Sequence, residues 1–233
     1  MTDLTTGRYR YLLGGDEQPV DERFRITAFD DHTKVESWRN AHGTSLQVQA
    51  LYFEAGHCEC ELIWNSTVPE TPEHVETHYA VAVDGSVQVS WRINRGAQQH
   101  HSVEADSRGG PSFFPLMRVF SGRTVRKLAL TAGQPMTVVV PDIRDPRVVD
   151  SFLTPLVSDR HAASVQPGTV EVDGVDHECL VVDYRGGQYD ADATVFVDDG
   201  GLLLRYTWPQ AGVGDWDVQL CEVQGPWPAP AQW

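Results

Sequence analysis

The chain has 233 residues, 41% hydrophobic and 22% charged, a globular balance with enough apolar material for a sizeable core. A formal net charge of −15 at pH 7 and a pI near 4.8 argue against a nucleic-acid backbone or an anionic membrane as partner. No run approaches the roughly 18 apolar residues of a spanning helix, so membrane insertion is not expected.

The first half is a series of short alternating segments separated by turn residues. Residues 7–13 (GRYRYLL), 23–29 (RFRITAF) and 34–39 read as strands, divided by Gly14-Gly15-Asp16 and by Asp30-Asp31. Residues 44–53 (TSLQVQALYF) alternate Leu46, Val48 and Ala50 against Gln47 and Gln49, the period of a half-buried strand. Residues 57–64 (HCECELIW) put Cys58, Cys60, Leu62 and Trp64 on one face and Glu59 and Glu61 on the other. After a proline-containing loop, residues 74–83 (HVETHYAVAV) turn at Asp84-Gly85 into residues 86–93 (SVQVSWRI), a strong hairpin signal. Residues 98–105 extend the pairing before Gly109-Gly110 interrupts it.

The centre, residues 111–162, is the least β-like and most apolar part. Arg118 is embedded among Phe113, Phe114, Leu116, Met117, Val119 and Phe120. A guanidinium stays charged, so its burial requires a partner, either an internal carboxylate such as Asp142 or Asp145 or a ligand. Short strands are expected at residues 125–130 and 136–140. Residues 145–157 (DPRVVDSFLTPLV) carry the helix pattern, with Asp145 as cap, Pro146 at the first position and Pro155 limiting the helix to about two turns.

The second half returns to antiparallel β at residues 169–172, 176–184, 191–197, 201–208 and 215–223, with Asp199-Gly200-Gly201 as the tightest turn. The tail, residues 225–233 (GPWPAPAQW), is extended, its two tryptophans either folding back as a cap or fraying. A weak repeat links HCECELIW and the following HYAVAVDGSVQVSWRI with DHECLVVDY and DATVFVDDGGLLLRYTW. It suggests one β domain over residues 1–233 made of two similar halves, 7–110 and 163–223, with 111–162 as the seam.

Several of these residues also carry a family resemblance. Pro115-Leu116-Met117-Arg118, residues 138–141 with Pro146, Arg160, Tyr184 in DYRGGQY and residues 197–206 (VDDGGLLLRY) follow one another as in a bacterial family named for glycolipid binding; residues 78–91 are loosely similar to its earlier strands. The chain resembles that family over roughly residues 75–206, departing from it in a longer central helix and in lacking a polar-aromatic stretch before the proline-leucine pair. The resemblance implies a spiral β-roll, a coiled antiparallel sheet wrapped around a hydrophobic groove. It implies no particular reaction.

The residues that can carry chemistry are scattered. His74, Glu76 and His78 share one face of a strand, but i to i+4 spans about 13 Å, too far for one metal ion, so no metal site is assigned. His78, Glu76, Tyr184, Tyr189 and Asp142 are acid–base candidates by type, with nothing to set their mutual distances. Nucleophile signatures are absent, and the glycine pairs read as turns, not phosphate loops, so no cofactor is expected. Cys58 and Cys60 lie at i and i+2, poor geometry for a bridge; four reduced thiols and the lack of a leader-like N-terminus fit a cytoplasmic location. Arg118 and Arg160 read as anchors for an anionic or carbonyl group, and Trp64, Trp91, Tyr206 and Trp208 as aromatic lining or core.

Together these features predict an all-β coiled antiparallel sheet, a spiral β-roll or open barrel of about 12 to 14 strands with one or two short central helices. They favour a binder of an apolar or amphiphilic small molecule of the glycolipid, polyketide or isoprenoid type. The alternative is a cofactor-free isomerase, cyclase or lyase working in the same groove.

Overall fold

The computed structural model describes residues 4–104, 112–131, 133–186 and 193–227. The chain enters as β1 (Leu4–Leu13), the two-residue β2 (Asp16–Glu17), β3 (Val20–Ala28), β4 (His32–Ala41) and β5 (Thr44–Phe53). It continues through β6 (Cys58–Ser66), β7 (His74–Val81), β8 (Val87–Ile93) and β9 (Gln99–Val103). The centre supplies β10 (Ser112–Phe113), helix α1 (Arg118–Leu130) and β11 (Met136–Pro141). The remainder is β12 (Pro155–Val172), β13 (Val175–Arg185), β14 (Ala193–Val197), β15 (Leu203–Gln210) and β16 (Gly214–Gln224).

All sixteen strands belong to one sheet, ordered β10-β11-β12-β13-β14-β15-β16-β1-β3-β4-β5-β6-β7-β8-β9, with β2 beside β1. Neighbours in this order are antiparallel except β10 and β11. Each half is a meander of hairpins, and the halves join where the first long strand pairs with the last, Tyr9 opposite Leu220 and Tyr11 opposite Val218. The path ends at β9 and β10, which do not pair, so the sheet curls without closing into a barrel. β12 approaches β9 across the curl.

Period-2 patterning decides which face turns inward. In β6, Cys58, Cys60, Leu62 and Trp64 are buried while Glu59 and Glu61 are exposed. In β5, Leu46, Val48, Ala50 and Tyr52 point into the same core. Trp227 folds back, donating from Nε1 to Asp198 Oδ2 and stacking on His177 with ring centroids 4.1 Å apart. Trp233 and Tyr189 lie outside the described residues. Among the described residues no helix is long and apolar enough to cross a membrane.

The centre departs from expectation in two places. Residues 125–130, expected as a strand, are the second half of α1. Residues 145–157, expected as a helix, are a chain of turns followed by the start of β12. Asp145 does begin a turn, accepting from the Arg147 amide at 3.0 Å, but the turn does not propagate. Val148 and Val149 are exposed, and only Phe152 and Leu153 are driven into the curl. There Trp91 Nε1 donates to the Phe152 carbonyl at 3.0 Å and the Tyr79 hydroxyl to the Leu153 carbonyl at 2.7 Å. Trp64 meets Phe152 edge-on at 5.0 Å. Two buried donors therefore claim the carbonyls of this segment, and it serves as a plug in the first half of the sheet.

Candidate functional site

In a meander, alternate turns fall at the same end of the sheet. The β3–β4, β5–β6 and β7–β8 turns gather at one end, facing α1 and the turn at Gly200-Gly201 across a groove of about 880 Å³. That is the size of a small-molecule site.

One wall is a ladder of rings. Phe29 and His32 stack at 4.5 Å with an interplanar angle of 12°, His32 and Phe53 lie 5.6 Å apart, and Phe53 and His57 stack at 4.2 Å and 9°. Strand register builds the ladder, because His32 is directly opposite Phe53. The turn bonds from the Phe29 amide to the His32 carbonyl (2.9 Å) and from the Phe53 amide to the His57 carbonyl (3.1 Å) set the outer rings. His32 Nδ1 lies 2.7 Å from Asp31 Oδ1, and this hydrogen bond lowers the Asp31 pKa.

The facing wall is α1. Arg123, Arg126 and Lys127 occupy i, i+3 and i+4, one helical face, and all three line the groove. The Arg123 guanidinium lies 4.2 Å from the centroid of the Tyr52 ring. Burial raises the Tyr52 hydroxyl well above its ordinary pKa. Lys127 is exposed, yet partial desolvation and then the charge of Arg123 lower its pKa. It stands in the last turn, where the helix dipole favours a cation. Below the helix Cys58 is buried, and desolvation pushes its thiol up to about 12, which leaves it protonated at neutral pH. The rim mixes charged side chains, Asp30 and Glu54 among them, with three exposed apolar ones: Phe29, Val83 and Leu130 are 43%, 71% and 69% exposed.

The residues singled out from sequence lie elsewhere. Arg118 is the first residue of α1; its backbone amide donates to Glu22 Oε1 at 2.6 Å. Its guanidinium lies 4.6 Å from the Tyr206 ring and 5.1 Å from Trp208, so the structure does bring these three together. Neither aspartate proposed as its partner takes that role, since Asp142 pairs with Arg144 and Asp145 with Arg147. Burial pushes the Asp142 carboxyl up, but the Arg144 side-chain and backbone donors together bring it below its ordinary value. Arg160 is buried, donates to Ser158 Oγ and the Gly186 carbonyl, and faces Tyr184 at 5.7 Å. Trp64 and Trp91 hold the plug. His78 is exposed on the outer face, where Glu76 pairs with Arg92 and His74. None of these residues lines the groove.

Sequence patterning left Arg123, Arg126 and Lys127 unmarked. Their spacing is the available signal, and it is meaningful only once residues 118–130 are read as helix. Compared with protein-family models, curated proteins and solved structures, the chain matches none.

Proposed function

We propose that this protein binds an amphiphilic small molecule in the groove between α1 and the clustered strand turns. The observation that carries this reading is the convergence of Phe29, Val83 and Leu130, three exposed apolar side chains, on the rim of a single cavity of about 880 Å³. Exposed apolar surface is costly in water, and its concentration around a concave site favours a ligand over chance. The ring ladder offers flat faces to an alkyl or isoprenoid chain.

The enzymatic alternative has less behind it. His78 and Glu76 stand on the outer face, and Asp142 is engaged by Arg144. Neither these residues nor Tyr184 reaches the groove. The test is a thermal-shift panel of single-chain amphiphiles with native mass spectrometry, run on wild type and on a Val83→Glu/Leu130→Glu variant. Wild type is expected to gain stability and retain the ligand, and the variant to lose both responses. An unshifted wild type with a clean apo mass across the panel would sink the reading.

A further inference from the structure

We infer that the polar end of the bound amphiphile is an oxyanion, a carboxylate or a phosphate, held by Arg123, Arg126 and Lys127. The inference rests on the groove being a ligand site and adds the chemistry of what it takes.

In a chain of net charge −15, most cations have an acid at hand. Arg8 reaches Glu17 and Glu222, Arg92 reaches Glu76, Arg144 reaches Asp142, and Arg205 reaches Asp217. Among the described residues, no carboxylate lies within 4.0 Å of Arg123, Arg126 or Lys127, although Asp30 and Glu54 stand on the same rim. The three cations share one helix face, and like charges at i and i+4 repel, so Arg123 with Lys127 is an arrangement that folding alone disfavours. The helix dipole accounts for Lys127 only, since Arg123 and Arg126 lie further from the C-terminus.

The geometry also suits an oxyanion. The ring of Tyr52, itself buried, supports the Arg123 guanidinium from one side, which limits the freedom lost when a ligand binds. A guanidinium fork grips a carboxylate or a phosphate through two oxygens, and an adjacent ammonium adds a point charge. Partial desolvation and then the charge of Arg123 lower the pKa of Lys127, and a bound anion would offset the repulsion from Arg123. Across the groove the ladder from Phe29 to His57 lies where the chain of such a molecule would run.

The deciding experiment is calorimetry of the full chain with dodecanoate, dodecyl phosphate and dodecyl maltoside, each below its micelle concentration. The same titrations are run on Arg123→Gln/Lys127→Gln, whose changes fall at exposed positions, with its melting curve checked against wild type. At least one of the two anions is expected to bind about tenfold or more tightly than the maltoside. The double variant should lose that preference while keeping the maltoside affinity. The tighter of the two anions then says whether a carboxylate or a phosphate is preferred. Equal affinity for all three, or a preference that survives in the double variant, overturns the anion assignment and leaves the groove as a neutral amphiphile site. No binding of any of the three overturns the groove reading itself.

Discussion

Glu22 has no exposed surface, and groups from separate parts of the chain satisfy its carboxylate. The Tyr11 hydroxyl donates to one oxygen and the backbone amide of Arg118 to the other. Burial, then the charge of Glu22, pushes the Tyr11 hydroxyl up to about 12, so it remains a donor at any physiological pH. Glu22 thereby does the work of an N-cap from 96 residues away. Met117 precedes the helix with no side-chain cap of its own, and no acidic residue lies in the first turn. A negative charge at a helix N-terminus is also favoured by the dipole. Replacing Glu22 with alanine should cost about 2–3 kcal/mol, because it leaves a buried amide and a buried hydroxyl unsatisfied. Glu22→Gln should cost less, since one acceptor oxygen survives. Urea unfolding of both variants measures this, and an alanine variant with the wild-type midpoint would remove Glu22 from the account of the helix.

Helix α1 is weak by its own composition, with Ser121-Gly122 and the β-branched Thr124 and Val125 in its interior. It persists because Val119, Phe120, Val125 and Leu128 are buried in the second half of the curl. Gly122 permits the closest approach: a Cβ there would lie 2.3 Å from the Gly201 carbonyl oxygen and 2.5 Å from the Leu203 amide nitrogen. In an isolated helix Gly122→Ala would gain about 1 kcal/mol. Here the overlap is with backbone, which cannot swing aside, so the substitution should instead destabilise by about 1–3 kcal/mol and shift the cationic wall of the groove. Thermal and urea melts test the sign; a stabilised alanine variant would show that the helix has slack against the turn. The plug is the converse case. Its sequence has a helix start and helical spacing, yet Trp91 and Tyr79 take its carbonyls and Pro155 directs the chain into β12. Local preference lost to buried donors that needed acceptors.

At the scale of the molecule, the pairing of β1 with β16 joins two meanders into one sheet. β1 is central, not an edge, and the Tyr9 hydroxyl crosses the core to the Leu203 carbonyl at 3.0 Å. Removing residues 1–13 should therefore abolish cooperative unfolding, because it exposes two unpaired inner edges, on β3 and β16. Near-UV circular dichroism and a denaturant titration would register the loss. A truncated chain that still melts in one sharp transition would mean that the halves are held by something other than this strand. Contacts so distant in sequence also predict slow folding relative to a helical protein of equal length.

Alternation alone determined the all-β class, the positions of most strands and which face of β5, β6 and β7 turns inward. Those properties depend on near neighbours, so period-2 patterning records them. It also marked the centre as different and Arg118 as a charge that burial must answer. What surrounds it was a tertiary matter, since its guanidinium meets the Tyr206 and Trp208 rings, and its backbone amide meets Glu22, only once β3 and β15 lie against the helix N-terminus. The groove was equally out of reach, because its ring ladder depends on register across β4 and β5 and its cations share a face only on a helix. A helix that borrows its cap from another strand and its close packing from a distant turn leaves a faint local pattern, and only the folded sheet gives its three cations a common site.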